Sequence, residues 1–182
     1  MKRIGFLLLA VATLAGAVAF MAPAFGRAVE ETAPIFLTKV PPGYRDWKLV
    51  SVAHEEGELN DIRAILGNDI AIKAYRGGQL PFPDGAIIVA QHWTKESSPE
   101  NDKILALLPM VAGAASPTSF IPGPVINMQV MVKDSKKYAA TGGWGFGDFK
   151  DGKPSGEALH KTCFPCHEPG KDRDFVFTRY AP

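Results

Sequence analysis

The chain has 182 residues, 46% of them hydrophobic, with 20 basic and 19 acidic residues. That length supports one globular domain with a proper core. The near-zero charge gives no support for a nucleic-acid partner.

Lys2 and Arg3 open the chain, and Ile4 to Met21 carries no charge and is rich in Leu, Ala and Val. Ala22-Pro23-Ala24 is a small-x-small cleavage signal and Gly26-Arg27-Ala28 a second. Residues 1–24 therefore read as an export signal, cleaved after Ala24 or Ala28, which predicts a periplasmic mature protein. An uncleaved membrane anchor over residues 4–21 is the alternative. Residues 25–43, with Pro34, Pro41 and Pro42, predict an extended segment.

Trp47 to Val52 and Ile62 to Leu66 read as strands on either side of the acidic turn Glu55 to Glu58. Asn68 is placed to cap a helix over Asp69 to Arg76, which Gly77-Gly78 ends. Pro81 to Gly85 is a tight turn. Ala86 to Lys95 alternates as a strand, with Ile87, Val89, Gln91, Trp93 and Lys95 on one face and Ala86, Ile88, Ala90, His92 and Thr94 on the other. Glu96 to Asp102 reads as a polar loop, and Lys103 to Ala115 as a helix interrupted by Pro109. Pro117 to Pro124 reads as a proline-rich connection. Val125 to Lys133 alternates again, with Ile126, Met128, Val130 and Val132 opposite Asn127, Gln129 and Met131. Asp134 starts one helical turn, and Gly142-Gly143 leads into an aromatic strand, Trp144 to Phe149. After the turn Asp151-Gly152, Ser155 is the expected cap of a helix carrying Leu159 and His160. The tail, Asp174 to Tyr180, is aromatic and reads as extended.

That last helix leads into Cys163-Phe164-Pro165-Cys166-His167, the C-x-x-C-H attachment signature of a c-type haem. The two thiols add to the two haem vinyl groups as thioethers, and one turn of backbone presents both to one porphyrin edge. His167 follows directly, so its imidazole is placed as the metal ligand. The competing readings are a C-x-x-C disulfide and half of a zinc site. A thioredoxin-like site sits early in a βαβ unit, and zinc needs further ligands where no further cysteine exists. The motif predicts one covalently bound haem c.

The 18 glycines and 15 prolines break the chain into short pieces, and the strongest periods are of two residues. A four-helix cytochrome needs long helical periods. The expected fold class is α+β: a mainly antiparallel sheet with a few short helices, and the haem held near the C-terminal motif.

Residues 44–182 resemble the cytochrome P-460 family, which includes the β-type cytochromes c′. The stretches that carry the resemblance are Tyr44 to Trp47, Ile62-Arg63, Phe82 to Gly85, Val132 to Asp134, the haem motif and Asp174 to Tyr180. The resemblance implies an antiparallel sheet holding one haem, usually in a homodimer. It also implies a lysine cross-linked to the haem ring in members that oxidise hydroxylamine. In this chain that position is Ala90, which has no amine, and neither Lys95 nor Lys73 is well placed to replace it. The resemblance puts Arg63 on the distal side of the haem and Gln129 near a family acidic residue. Glutamine donates a hydrogen bond but is no general base near neutral pH. For Arg63 the structural alternative is an ion pair with Asp61 or Asp69, and for Gln129 it is a solvent-facing strand position.

His92 shares the strand face of Ala90 and is a candidate distal donor or sixth ligand. Met128 and Met131 are candidate thioether ligands, though packing is their commoner use. Arg173, Arg179 and Tyr180 are candidates to hold the haem propionates. Three functions compete: binding of a small gaseous or nitrogenous ligand such as nitric oxide; oxidation of hydroxylamine or nitric oxide with electrons passed to a redox partner protein; and six-coordinate electron transfer. An open iron position separates the first two from the third.

Overall fold

The strands follow one another in space as they do in sequence. A computed structural model describes residues 36–107 and 118–181. The expected export signal, residues 25–35 of the expected extended segment, and the part of the expected second helix beyond Leu107 lie outside the described residues. Six strands form one antiparallel sheet in the order β1 (Lys48–Glu55), β2 (Asp61–Gly67), β3 (Ile87–Ser97), β4 (Phe120–Lys133), β5 (Trp144–Lys150) and β6 (Lys153–Pro154). Among the described residues three α-helices accompany them: α1 (Asp69–Gly77), α2 (Pro99–Leu105) and α3 (Glu157–His167). The α+β class read from the sequence is the class observed.

The period-two pattern divides the core. On one face, Ile65, Ile88, Met131 and Phe146 pack with Ala71, Ile72 and Ala74 of α1 and with Val176 of the tail. On the other, Val89, Met128, Val130 and Phe149 pack under Leu37, Val40, Tyr44 and Trp47. Each sheet face is thus covered, α1 and the tail on one side and the segment before β1 on the other. Leu37 N–H donates to the Phe146 carbonyl at 2.5 Å, tying that segment to β5.

Local chemistry accounts for α1. Asn68 Oδ1 accepts from Ala71 N–H at 2.9 Å, and Gly78 closes the helix at φ 61°, a left-handed conformation that glycine adopts without a Cβ clash. Four expectations need correction. Glu96 to Asp102 is not all loop: α2 begins at Pro99, with Ser98 Oγ accepting from Asn101 N–H, and proline at the first helical position and acids in the first turn favour that start. Pro117 to Pro124 is not all connection, because β4 begins at Phe120. Its Pro122 and Pro124 are tolerated since β5 pairs only with Met128 to Lys133, so the proline-bearing end has a neighbour on one side alone. Ile126 leaves the face of Met128 and Val130: the register skips from His92↔Asn127 to Trp93↔Val125, and a bulge re-aims a side chain. Ser155 does not cap α3, which starts after Gly156; its hydroxyl donates to Asp148 Oδ1 at 2.5 Å instead.

The candidate haem cavity

A cavity of about 710 Å³ lies between one sheet face and α3 with the tail. Pockets of this order hold drug-sized and cofactor-sized ligands. Helix α3 meets it with Leu159, Thr162, Cys163, Cys166 and His167. Those positions, at i, i+3, i+4, i+7 and i+8, form a single helical stripe. The helix therefore aims both thiols and the imidazole at one space, and both cysteines are free. Burial, with Asp148 and Cys166 nearby, pushes the Cys163 thiol above its ordinary range, so it stays neutral.

His167 is oriented by the tail. Its Nδ1 lies 2.7 Å from the Phe175 carbonyl, which accepts only, so Nδ1 carries the proton and Nε2 keeps its lone pair. Burial holds the imidazole below its usual pKa, against the pull of that hydrogen bond. The ring stacks on Phe177 with centroids 4.7 Å apart and lies 5.1 Å from Phe146. The residues present fit a haem: two free thiols one turn apart, and an imidazole fixed in the tautomer a metal needs. Cys163, Cys166 and His167 would hold the group.

The tail is itself anchored. Asp174 and Phe175 both have positive φ, 53° and 64°, which turns the Phe175 carbonyl back toward His167. Lys133 Nζ donates to both Asp174 oxygens at 2.7 and 2.9 Å and to the Gly142 carbonyl at 2.9 Å. Phe82 N–H donates to Asp174 Oδ2 at 2.8 Å. Gly142 packs so closely that a Cβ there would collide with the Phe175 ring.

The sheet wall of the cavity carries Arg63, Ala90 and Gln129, so these three line one space with Cys163, Cys166 and His167. His92 and Met131 line it too, and so does Arg179. Met128 does not: it packs with Val89, Val130 and Phe149. Arg173 is exposed away from it, and the Tyr180 hydroxyl accepts from Arg76 Nε at 2.9 Å. Among the described residues no lysine lines the cavity. Lys95 approaches His54 Nε2 at 3.0 Å, and Lys73 is exposed on α1.

Arg63 fulfils both of its readings. Its Nε donates to Asp61 Oδ1 at 3.0 Å while the side chain lines the cavity; Asp69 pairs with Lys48 instead. The residue that sequence reading undervalued is Asp61. Its second oxygen, Oδ2, lies 2.6 Å from His92 Nδ1. Burial acts to raise the Asp61 carboxyl, but hydrogen bonds and charge from Arg63 and His92 outweigh it and hold the acid below the usual range. The signal was present: Asp61 and Arg63 are two apart on a strand and share a face. The missing part was the register, which pairs Arg63 with His92 and brings Asp61 to its diagonal.

His92 is 4% exposed. Burial pushes its imidazole below the ordinary 6.5, and Asp61 restores only part. The unfolded chain therefore takes up a proton below about pH 6.5 that the folded state resists, so His92 lowers stability as pH falls through that range. Urea unfolding at pH 7.5 and 5.5 is expected to show this loss, at most about 1.4 kcal/mol per pH unit for the one proton. His92→Gln should have the shallower slope; identical slopes would remove His92 from the account.

The sequence model for the family described as Cytochrome P460 matches residues 41–178. No curated protein matches the chain.

Proposed function

The chain belongs to the cytochrome P460 family and so is a haem cytochrome, and on that premise we propose that it is an exported protein with one covalently attached haem c whose distal side binds a small ligand such as nitric oxide. The observation that carries the reading is the α3 stripe, with His167 held by the Phe175 carbonyl, facing a cavity of about 710 Å³. Haem iron supplies the ligand position. The chain's part would be to hold the group through the His167 imidazole and to line the facing sheet with Ala90, Ile88 and Ile65. Arg63 and Gln129 bring hydrogen-bond donors to that wall. The pattern of residues 1–24 supports periplasmic export, and the family resemblance supports a homodimer.

A cavity wall without lysine supports an uncross-linked ring and little or no hydroxylamine turnover. The ferrous protein is expected to give an ordinary c-type spectrum with an open iron position and to bind nitric oxide. Peptide mapping should find haem on the Cys163–His167 peptide alone. A strongly shifted Soret band together with haem on a lysine peptide would overturn the uncross-linked site. A six-coordinate ferrous spectrum would favour the electron-transfer reading, and steady hydroxylamine oxidation with electrons passed to a redox partner protein would favour the enzyme.

A further inference from the structure

His92 is the one histidine of the sheet wall of the cavity, and its two nitrogens stand in different circumstances. Nδ1 faces Asp61 Oδ2 at 2.6 Å. An ionised carboxylate only accepts, so Nδ1 carries a proton. Arg63 Nε on the other Asp61 oxygen holds that carboxyl ionised. Nε2 is then a lone-pair acceptor, and among the described residues it is buried without a partner. A buried acceptor left unbonded destabilises the fold. The fold bears that cost at the wall of the cavity the haem would share.

The geometry points to His92 as the cavity's base: we propose that Nε2 accepts a proton from a neutral, protic small ligand that binds as its anion, with Asp61 and Arg63 as positioning residues. The inference rests on the haem reading above and extends it to a ligand class that nitric oxide, having no proton, does not belong to. With hydrogen cyanide as the probe, the H–C bond breaks, the proton goes to Nε2, and the electron pair stays on cyanide, which takes the open position of the ferric iron. No electron is gained or lost overall. The resulting imidazolium is held by Asp61. Asp148 on β5 also favours it, whereas Arg63 on β2 and burial oppose it. Glu55 Oε1 lies 3.6 Å from Arg63 Nη1, and Arg179 lines the same cavity from the tail. The β4 groups facing this wall, Asn127 and Gln129, are neutral.

The test is stopped-flow cyanide binding to the ferric, haem-loaded protein from pH 5 to 9, beside nitric oxide binding to the ferrous form. Positioned general bases contribute about 10²–10⁴-fold. His92→Gln is expected to lower the cyanide rate at pH 7 at least about tenfold more than the nitric oxide rate, and to abolish a fall in rate at acid pH. Asp61→Asn should move that acid limb rather than remove it. Equal loss of both rates, or an unchanged cyanide profile, overturns the inference and leaves nitric oxide binding standing. A ferric spectrum already six-coordinate and low-spin before cyanide overturns both. If the variants do not load haem, the unaltered protein decides: its cyanide rate should fall at acid pH while its nitric oxide rate does not, and two profiles that run parallel would sink the idea.

Discussion

Acid–acetone is expected to leave all haem on the unaltered protein and to strip it from the double variant Cys163→Ser/Cys166→Ser. Helix α3 puts residues 163, 166 and 167 on one stripe facing the cavity, so both thiols open on the same space and would hold the group together. Serine keeps the size and polarity of cysteine but forms no thioether. Each single variant should keep haem through the remaining bond. His167→Ala should disturb iron ligation while the thioethers still form, because the sulfurs and the imidazole act on different parts of the group. Absorbance of the extracted protein and its intact mass read the result directly. Release of free haem from the unaltered protein would refute covalent attachment and, with it, the assignment of the two cysteines.

Removing Lys133 is expected to be the most damaging single change outside the haem motif. Lys133 and Asp174 are 5% and 8% exposed, and Asp174 also accepts from Phe82 N–H. Lys133→Ala leaves a carboxylate buried with its main partner gone, which costs about 3–5 kcal/mol in comparable pairs. For a chain of this size that lowers Tm by roughly 6–20 °C. The amine also lies 4.9 Å from the centre of the Trp144 ring, so a cation–π contact is lost as well. The double variant Lys133→Met/Asp174→Asn should recover part of the loss, because it removes both charges, and asparagine suits the positive φ of residue 174 and keeps an acceptor for the Phe82 N–H, while the Gly142 carbonyl still loses its Lys133 donor. Urea unfolding of the three proteins makes the comparison, and a Lys133→Ala cost below about 1 kcal/mol would show the pair to be dispensable. A functional consequence accompanies the structural one. Asp174 precedes the Phe175 carbonyl that orients His167, so loosening this anchor should broaden the ligation state of the iron even in molecules that remain folded.

Local rules made much of the sheet legible. Alternation identified the faces of Ala86 to Lys95, and Asn68 and Gly78 bounded α1 through caps that act within a few residues. The same holds for the α3 stripe, since a helical period places Cys163, Cys166 and His167 together whatever the rest of the chain does. The misreadings have non-local causes. Pro122 and Pro124 look like a connection until β5 is seen to stop at Met128, and Ile126 changes sides through a register skip that no single strand encodes.

The sequence by itself determined the chemistry on offer: two thiols and an imidazole in a helical repeat, and a sheet-forming pattern around them. These follow from covalent order and from periods of 2 and 3.6 residues, which need no knowledge of partners. Only the tertiary structure decided which groups act on one another. Asp61 meets His92 because β2 and β3 pair in one register, and a slip of one residue would turn Asp61 to the other face. Phe175 holds His167 because Lys133, 41 residues from Asp174 along the chain, draws the tail onto the sheet. Such contacts depend on strand register and on a buried ion pair, and both are properties of the assembled fold rather than of any segment.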